Sequence, residues 1–344
     1  MKGKMSAPLT HDDADSTKAK RRRRFLNGTM VAVALLCVLG IVTGATVGIW
    51  FKKTFLTNYE KTDYSGLSET ELRDDIEPIL KDGYGAYTPT AKSKKEDLIK
   101  AFIAAEYNGL QADNFYTFAN SFVDMGITTQ TSYSDKTFDG QTVIATTASS
   151  GMISFAEKIT YHLGDENLTL VRDKNLTKKD GDTLDCSFNC RFHGKKNAII
   201  TSNFTAAPTT LSHDDYVANT GTYPHGLLTH IVSSKTVIND PSTTFRTVTL
   251  PSGETGYAFT LRLNPKTSVL NTAKQMKYLS DLKDYPTFKS VRLDVVLIQQ
   301  NGQIYLKTID STEEYVVPYG MLAPQGTGYT HTEFTFNNVP TDED

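Results

Sequence analysis

The chain has 344 residues, about two domains' worth at ~150 residues each, and balances 36 Lys plus Arg against 39 Asp plus Glu for a net charge of −3. With 39% hydrophobic and 10% aromatic residues, it is not globally disordered, collagen-like or a disulfide-stapled miniprotein. Only one stretch is long and apolar enough to span a bilayer, which excludes a polytopic transporter.

The charge is unevenly divided. Residues 1–28 hold eight cations (Lys2, Lys4, Lys18, Lys20, Arg21, Arg22, Arg23 and Arg24) and three acids, giving +5; residues 29–51 hold none, and the remaining 293 residues carry −8. The 23 uncharged positions from Thr29 to Phe51 would reach about 34 Å as a helix, enough for a ~30 Å hydrocarbon core. Trp50 and Phe51 sit where an aromatic belt would, followed by Lys52 and Lys53. This pattern predicts a signal anchor in the plasma membrane, single-pass, with the amino end cytoplasmic and the carboxyl end extracytoplasmic. A cleaved signal peptide would use Thr43 and Ala45 before its cut, but the long polar lead and the apolar residues beyond Ala45 weigh against it. Lipidation at Cys37 is disfavoured by Leu36, which is not small. Arg21 to Arg24 would also suit a nucleic-acid patch; beside an apolar span they read as a topology signal, and an acidic remainder repels phosphate backbones, so no nucleic-acid partner is predicted.

The predicted organisation is a basic cytoplasmic tail (1–28), a transmembrane helix (29–51), a tether with a short helix (52–90), an extracytoplasmic domain (91–340) and an acidic tail (341–344). Ser68 to Glu71 form a capping box ahead of Leu72, Ile76, Ile79 and Leu80, with Pro78 kinking or ending that helix. A second box, Ser93 to Glu96, opens a better helix whose stripe is Leu98, Ile99, Phe102, Ile103 and Glu106, ended by Asn108-Gly109. Phe115, Tyr116, Phe118, Phe122 and Met125 fit either a last helical turn or an aromatic strand. Strands are predicted near 126–134, 140–147, 152–163, 167–173, 183–193 and 197–204, with turns at Asp139-Gly140, Gly164-Asp165 and Asp180-Gly181. Ser212 starts a helix, and Pro224 precedes a short amphipathic one through Leu227, Leu228, Ile231 and Val232. Tyr257, Phe259, Leu261 and Leu263 alternate as a strand, and Ser268 starts a helix striped by Val269, Ala273, Met276 and Leu279. A long strand through Phe288 to Leu297 then turns at Asn301-Gly302, the strongest hairpin signal in the chain, and further strands fall at 314–317 and 333–336.

Of the three cysteines, Cys37 lies in the apolar segment. Cys186 and Cys190 sit in an alternating run as reduced core thiols, a local disulfide needing a tight turn between them, or two ligands of a metal site with His193. There is no G-x-S-x-G elbow, H-E-x-x-H, P-loop or G-x-G-x-x-G. His213-Asp214-Asp215 reads as a helix cap rather than an acid/base cluster, and His225 and His230 are spaced too widely on a helix to share a metal. Asp173, Asn175 and Thr177 imitate the start of a calcium loop but lack its glycine and closing glutamate, and Asn167, Asn175 and Asn203 are glycosylation sequons. No cofactor or metal is assigned, and the sequence does not set an oligomeric state.

The succession of Tyr257 to Pro265, Val291 to Val295, Asn301-Gly302-Gln303-Ile304 and Thr332 to Pro340 resembles the C-terminal half of the lipoprotein-carrier superfamily, the LolA- and LppX-like half-barrels. The chain also resembles single-span exported proteins of Gram-positive bacteria. The resemblance implies an α+β fold in which a large curved antiparallel sheet, half-barrel-like, carries a few helices on one face and encloses an apolar cavity for acyl chains. Phe102, Phe115, Phe118, Phe122, Phe259 and Met276 would line it. The functional expectation is a membrane-anchored domain that binds a hydrophobic or lipid-like envelope ligand without catalysis. A cell-envelope scaffold with a packed core, and a hydrolase with dispersed site residues, are the alternatives.

Overall fold

The computed structural model describes residues 56, 58–126, 129–150, 155–174, 178–179, 183–185, 191–193, 204–205, 207–279, 282–318 and 322–337. Two short helices, α1 (Glu69–Leu72) and α2 (Ile76–Lys81), replace the single Pro78-kinked helix expected from the sequence. Ser68 Oγ accepts the Glu71 N–H at 3.4 Å, and Asp75 Oδ1 accepts the Glu77 N–H at 3.1 Å to start the second helix. Pro78 then falls in the first turn of α2, where its missing N–H has no intrahelical partner to lose.

Helix α3 (Lys95–Leu110) begins after Lys94, whose N–H is taken by Asp97 Oδ2 at 2.9 Å. Ser93, the expected cap, instead accepts the Thr90 N–H at 2.9 Å and meets the Tyr87 hydroxyl at 2.6 Å. Gly109 does not end the helix. It is buried in its last turn because a Cβ there would stand 2.7 Å from both Leu227 Cδ1 and the Phe336 ring.

The strands that follow are β1 (Asn114–Asp124), β2 (Thr129–Asp139), β3 (Thr142–Ser150), β4 (Phe155–Leu163), β5 (Asn167–Lys174), β6 (Lys178–Lys179), β7 (Thr183–Asp185), β8 (Arg191–His193), β9 (Phe204–Thr205) and β10 (Thr209–Ser212). Helix α4 (His213–Thr220) is capped by Ser212 Oγ on the Asp215 N–H at 3.0 Å. Beyond it lie β11 (Arg246–Thr249), β12 (Thr255–Leu263), helix α5 (Leu270–Leu279), β13 (Thr287–Gln300), β14 (Gln303–Val316) and β15 (Gln325–Phe336). The stretch predicted as a helix after Pro224 is built of turns, and Asn301 and Gly302 make the β13–β14 hairpin with φ of 50° and 77°. The expected single strand over 183–193 is instead a pair, β7 against β8, with Thr183 opposite His193.

The main sheet is antiparallel throughout and runs β10-β5-β4-β3-β2-β1-β15-β14-β13-β12-β11, with β9 also pairing β5; β6, β7 and β8 form a separate small sheet. Directly opposed residues share a face, so the register follows one face from Leu261 through Leu293, Ser311, Thr330 and Ser121 to Ser132. Helix α3 packs on this face over β14 and buries Leu98, Ile99 and Phe102 against it. At one margin the outer side of β12 is closed beyond β11 by Ile238 N–H to Arg262 O (2.9 Å), Arg262 N–H to Asn239 Oδ1 (2.7 Å) and Asn239 Nδ2 to Thr260 O (2.9 Å), which blunts an exposed edge.

The α+β class expected from the sequence, headed by a transmembrane helix with a half-barrel-like sheet beneath, is corrected. The described chain is dominated by one open antiparallel sheet with few helices, because its Thr-, Tyr-, Phe- and Val-rich segments are of the residue types that favour extended, paired backbone. No helix among the described residues is long and apolar enough to cross a membrane. Residues 29–51, Arg21, Arg22, Arg23, Arg24, Cys186, Cys190 and the 341–344 tail lie outside the described residues.

Candidate functional site

The six residues predicted to line one apolar cavity do not come together. Phe102, Phe115 and Phe259 are each at most 1% exposed and belong to the packed core. Phe115 stacks on Phe138 (centroids 5.2 Å) and meets the Phe336 edge at 6.3 Å. Phe118 and Phe122 stand three and seven residues further along β1, an odd separation that turns both to the opposite face, where Phe122 is 43% exposed. Met276 is partly buried against the core from α5.

A cleft of about 780 Å³ instead opens where α1, α2 and α3 meet the turns after α4. Its aliphatic wall is Ile76, Leu110, Val217, Leu227 and Leu228, and its polar end is Glu69, Arg73, Glu106 and Asn271. The α1–α2 junction is clamped in place by the segment 233–235. Asp74 accepts the Ser234 N–H (2.6 Å) and hydroxyl (2.7 Å), Ser233 Oγ donates to Leu72 O (2.6 Å), and Lys235 Nζ donates to Glu71 O (2.6 Å).

The polar end is a chain of charges. Arg73 Nε donates to Glu69 Oε1 at 2.6 Å, and Asn271 Nδ2 donates to Glu69 Oε2 at 2.9 Å. Arg73 Nη1 stands 3.7 Å from Glu106 Oε2, too far for a hydrogen bond. Glu106 projects from the buried side of α3 and is only 5% exposed. Burial holds its carboxyl above the ordinary carboxylate range; the Arg73 charge opposes this, the Glu69 charge adds to it, and His230 opposes it more weakly. His230 is itself buried and donates from Nε2 to Glu313 Oε1 at 2.6 Å.

One end of the cleft is closed by an aromatic group. His225 lies between Phe138 (5.8 Å, stacked) and Tyr223 (5.6 Å), and the His213 ring meets Tyr223 edge-on at 6.2 Å. Lys136, from β2, donates to Gly226 O at 3.1 Å, and burial pulls its ammonium down to about 8. Burial, then the charges of Lys136 and His213, lower His225 below the ordinary histidine value. His225 and His230 thus serve separate neighbourhoods. Among the described residues no three His, Cys, Asp or Glu side chains converge as a metal site.

The sequence places Glu106 on the stripe of α3 but does not assign it to a site. It falls four positions after Phe102, in register with the core stripe of α3, and an acid at such a position is a local contradiction that marks a site. Arg73 and Asn271 carry no comparable signal, since only the fold brings them to it. No family model matches the chain, and no curated protein matches it.

Proposed function

We propose that residues 57–344 form a non-catalytic binding module, presented outside a plasma membrane, that takes an amphipathic, lipid-like envelope ligand in the cleft between α2, α3 and the turns after α4. One observation carries the reading: a cleft of about 780 Å³ pairs an aliphatic wall with a fixed polar end. That volume falls within the ~300–1,000 Å³ range of small-molecule sites, and the division of its lining is that of a site that orients a ligand. The charge step between residues 1–28 and the uncharged 29–51 supports the membrane placement.

The test is native mass spectrometry of the purified full chain beside Val217→Trp, whose indole occupies the aliphatic side of the cleft. A retained small aliphatic molecule in the wild type that is lost in the variant is the expected result. A wild type that carries no such molecule and takes up none of a series of six- to eight-carbon probes defeats the reading. The dense interior, with Phe102, Phe259 and Leu293 at most 1% exposed, favours an envelope scaffold in that event.

A further inference from the structure

We propose that the cleft selects a small aliphatic primary amine, whose ammonium group docks on Glu106 while its hydrocarbon chain lies along Ile76, Leu110, Val217 and Leu228. This rests on the ligand-binding reading above and adds the chemical class. Four acids and two permanent cations line the cleft: Glu69, Asp74, Asp75 and Glu106 against Arg73 and Lys235. Three of the acids are already satisfied by protein donors. Glu69 is held by Arg73 and Asn271, Asp74 by the Ser234 N–H and hydroxyl, and Asp75 by the Glu77 N–H.

Glu106 differs. It is more than nine-tenths buried and lines the cleft, yet among the described residues it has no hydrogen-bond donor, only Arg73 at 3.7 Å. An ionised carboxylate accepts about four hydrogen bonds, and among the described residues no protein donor supplies one to Glu106. An ammonium brings three donors, and a second positive charge for the two carboxylates that share Arg73, on a compact head. A carboxylate or phosphate would face the surplus of acids, and an alcohol brings one donor with no charge. The groups facing Glu106 are Glu69 from α1, Arg73 just after it, and His230, which is engaged with Glu313 of β14. Docking keeps the proton on the amine and favours the ionised form of Glu106, so any proton that Glu106 carries is released to solvent.

Three probes with one six-carbon tail test the proposal: hexylamine, hexan-1-ol and hexanoate, titrated calorimetrically into the full chain at about pH 7.5. Hexylamine is expected to bind about tenfold more tightly than either of the others, the scale of one charge-assisted contact. Glu106→Gln is expected to compress the three affinities to within about threefold of one another. If that variant does not fold, the wild type supplies the same readout: hexylamine affinity falls about tenfold by pH 4.5 while that of hexan-1-ol moves less than about threefold. Hexan-1-ol or hexanoate binding as well as hexylamine overturns the amine assignment and leaves the binding module standing. No binding of any probe overturns the module itself.

Discussion

The two halves of the main sheet meet at the β1–β15 pair and differ on the very face they share. From β12 to β15 the face under α3 carries Phe259, Leu261, Leu293, Val295, Ile309, Phe334 and Phe336, each at most 3% exposed. Across the seam the continuation of that face reads Thr117, Ala119, Ser132, Ser134, Lys136, Ala145 and Thr147, mostly half-buried, and its apolar residues gather near Phe115, Phe138, Val143 and Tyr161. One continuous hydrogen-bonded sheet therefore has two different sources of order. The second half is held by apolar burial beneath a helix, and the first by its ladders and by attachment to the second.

The sharpest way to break this comparison is a matched pair of truncations. Leu293→Ala, at a fully buried position in the middle of β13, is expected to cost about 2–5 kcal/mol, whereas Ser134→Ala on β2 is expected to stay within about 0.5 kcal/mol. Urea unfolding followed by circular dichroism measures both, and equal costs would mean that the two halves are held alike.

Gly109→Ala probes the place where helix and seam meet. In an open helix Ala is worth about 1 kcal/mol more than Gly. Here the added methyl would meet Leu227, which can shift, and the ring of Phe336, which is held between Tyr305 (5.3 Å) and Phe334 (6.2 Å) and cannot. Overpacking of about 1–3 kcal/mol should outweigh the propensity gain, so the thermal midpoint is expected to fall; a rise would show that α3 rides loosely over β15.

The smallest effect belongs to the outer face. His331 Nδ1 bonds Asp310 at 2.6 Å and its Nε2 meets Glu333 at 3.2 Å. Burial alone would lower the imidazole, but the bonds to Asp310 and Glu333 and their charges raise it above the ordinary histidine value. A raised folded value means that the stabilisation is complete below about pH 6.5 and is lost as pH rises through the raised value. His331→Asn should therefore be destabilising at pH 5.5 by less than about 1 kcal/mol and close to neutral at pH 9. The opposite pH order in thermal melts would refute the pairing.

Much of the fold was legible because its signals are short-range. Asn301-Gly302, the Ser68 and Ser212 caps, and the alternation in β12 and β13 each need only a handful of neighbours, and each appears where the residues require it. The failures share the opposite property. The aromatic run after residue 114 fits a helical turn or a strand equally well until β2 and β15 take it up on both sides. Without that pairing, Phe115 and Phe118 could be assigned to one lining; with it, they stand on opposite faces. Gly109 reads as a terminator until Phe336, more than two hundred residues away, shows that the helix must be bare there.

Periodicity and turn chemistry alone therefore settle that this chain makes long antiparallel strands, a capped helix ahead of them and a tight β13–β14 hairpin, since those choices depend on steric and hydrogen-bond preferences within a few residues. Tertiary structure alone settles that β1 joins β15, that Phe118 and Phe122 turn away from the core, and that Glu106 lies at the polar end of a cleft 3.7 Å from Arg73. Burial and ionisation depend on neighbours distant in the chain, and no local pattern encodes which of them the fold will bring near.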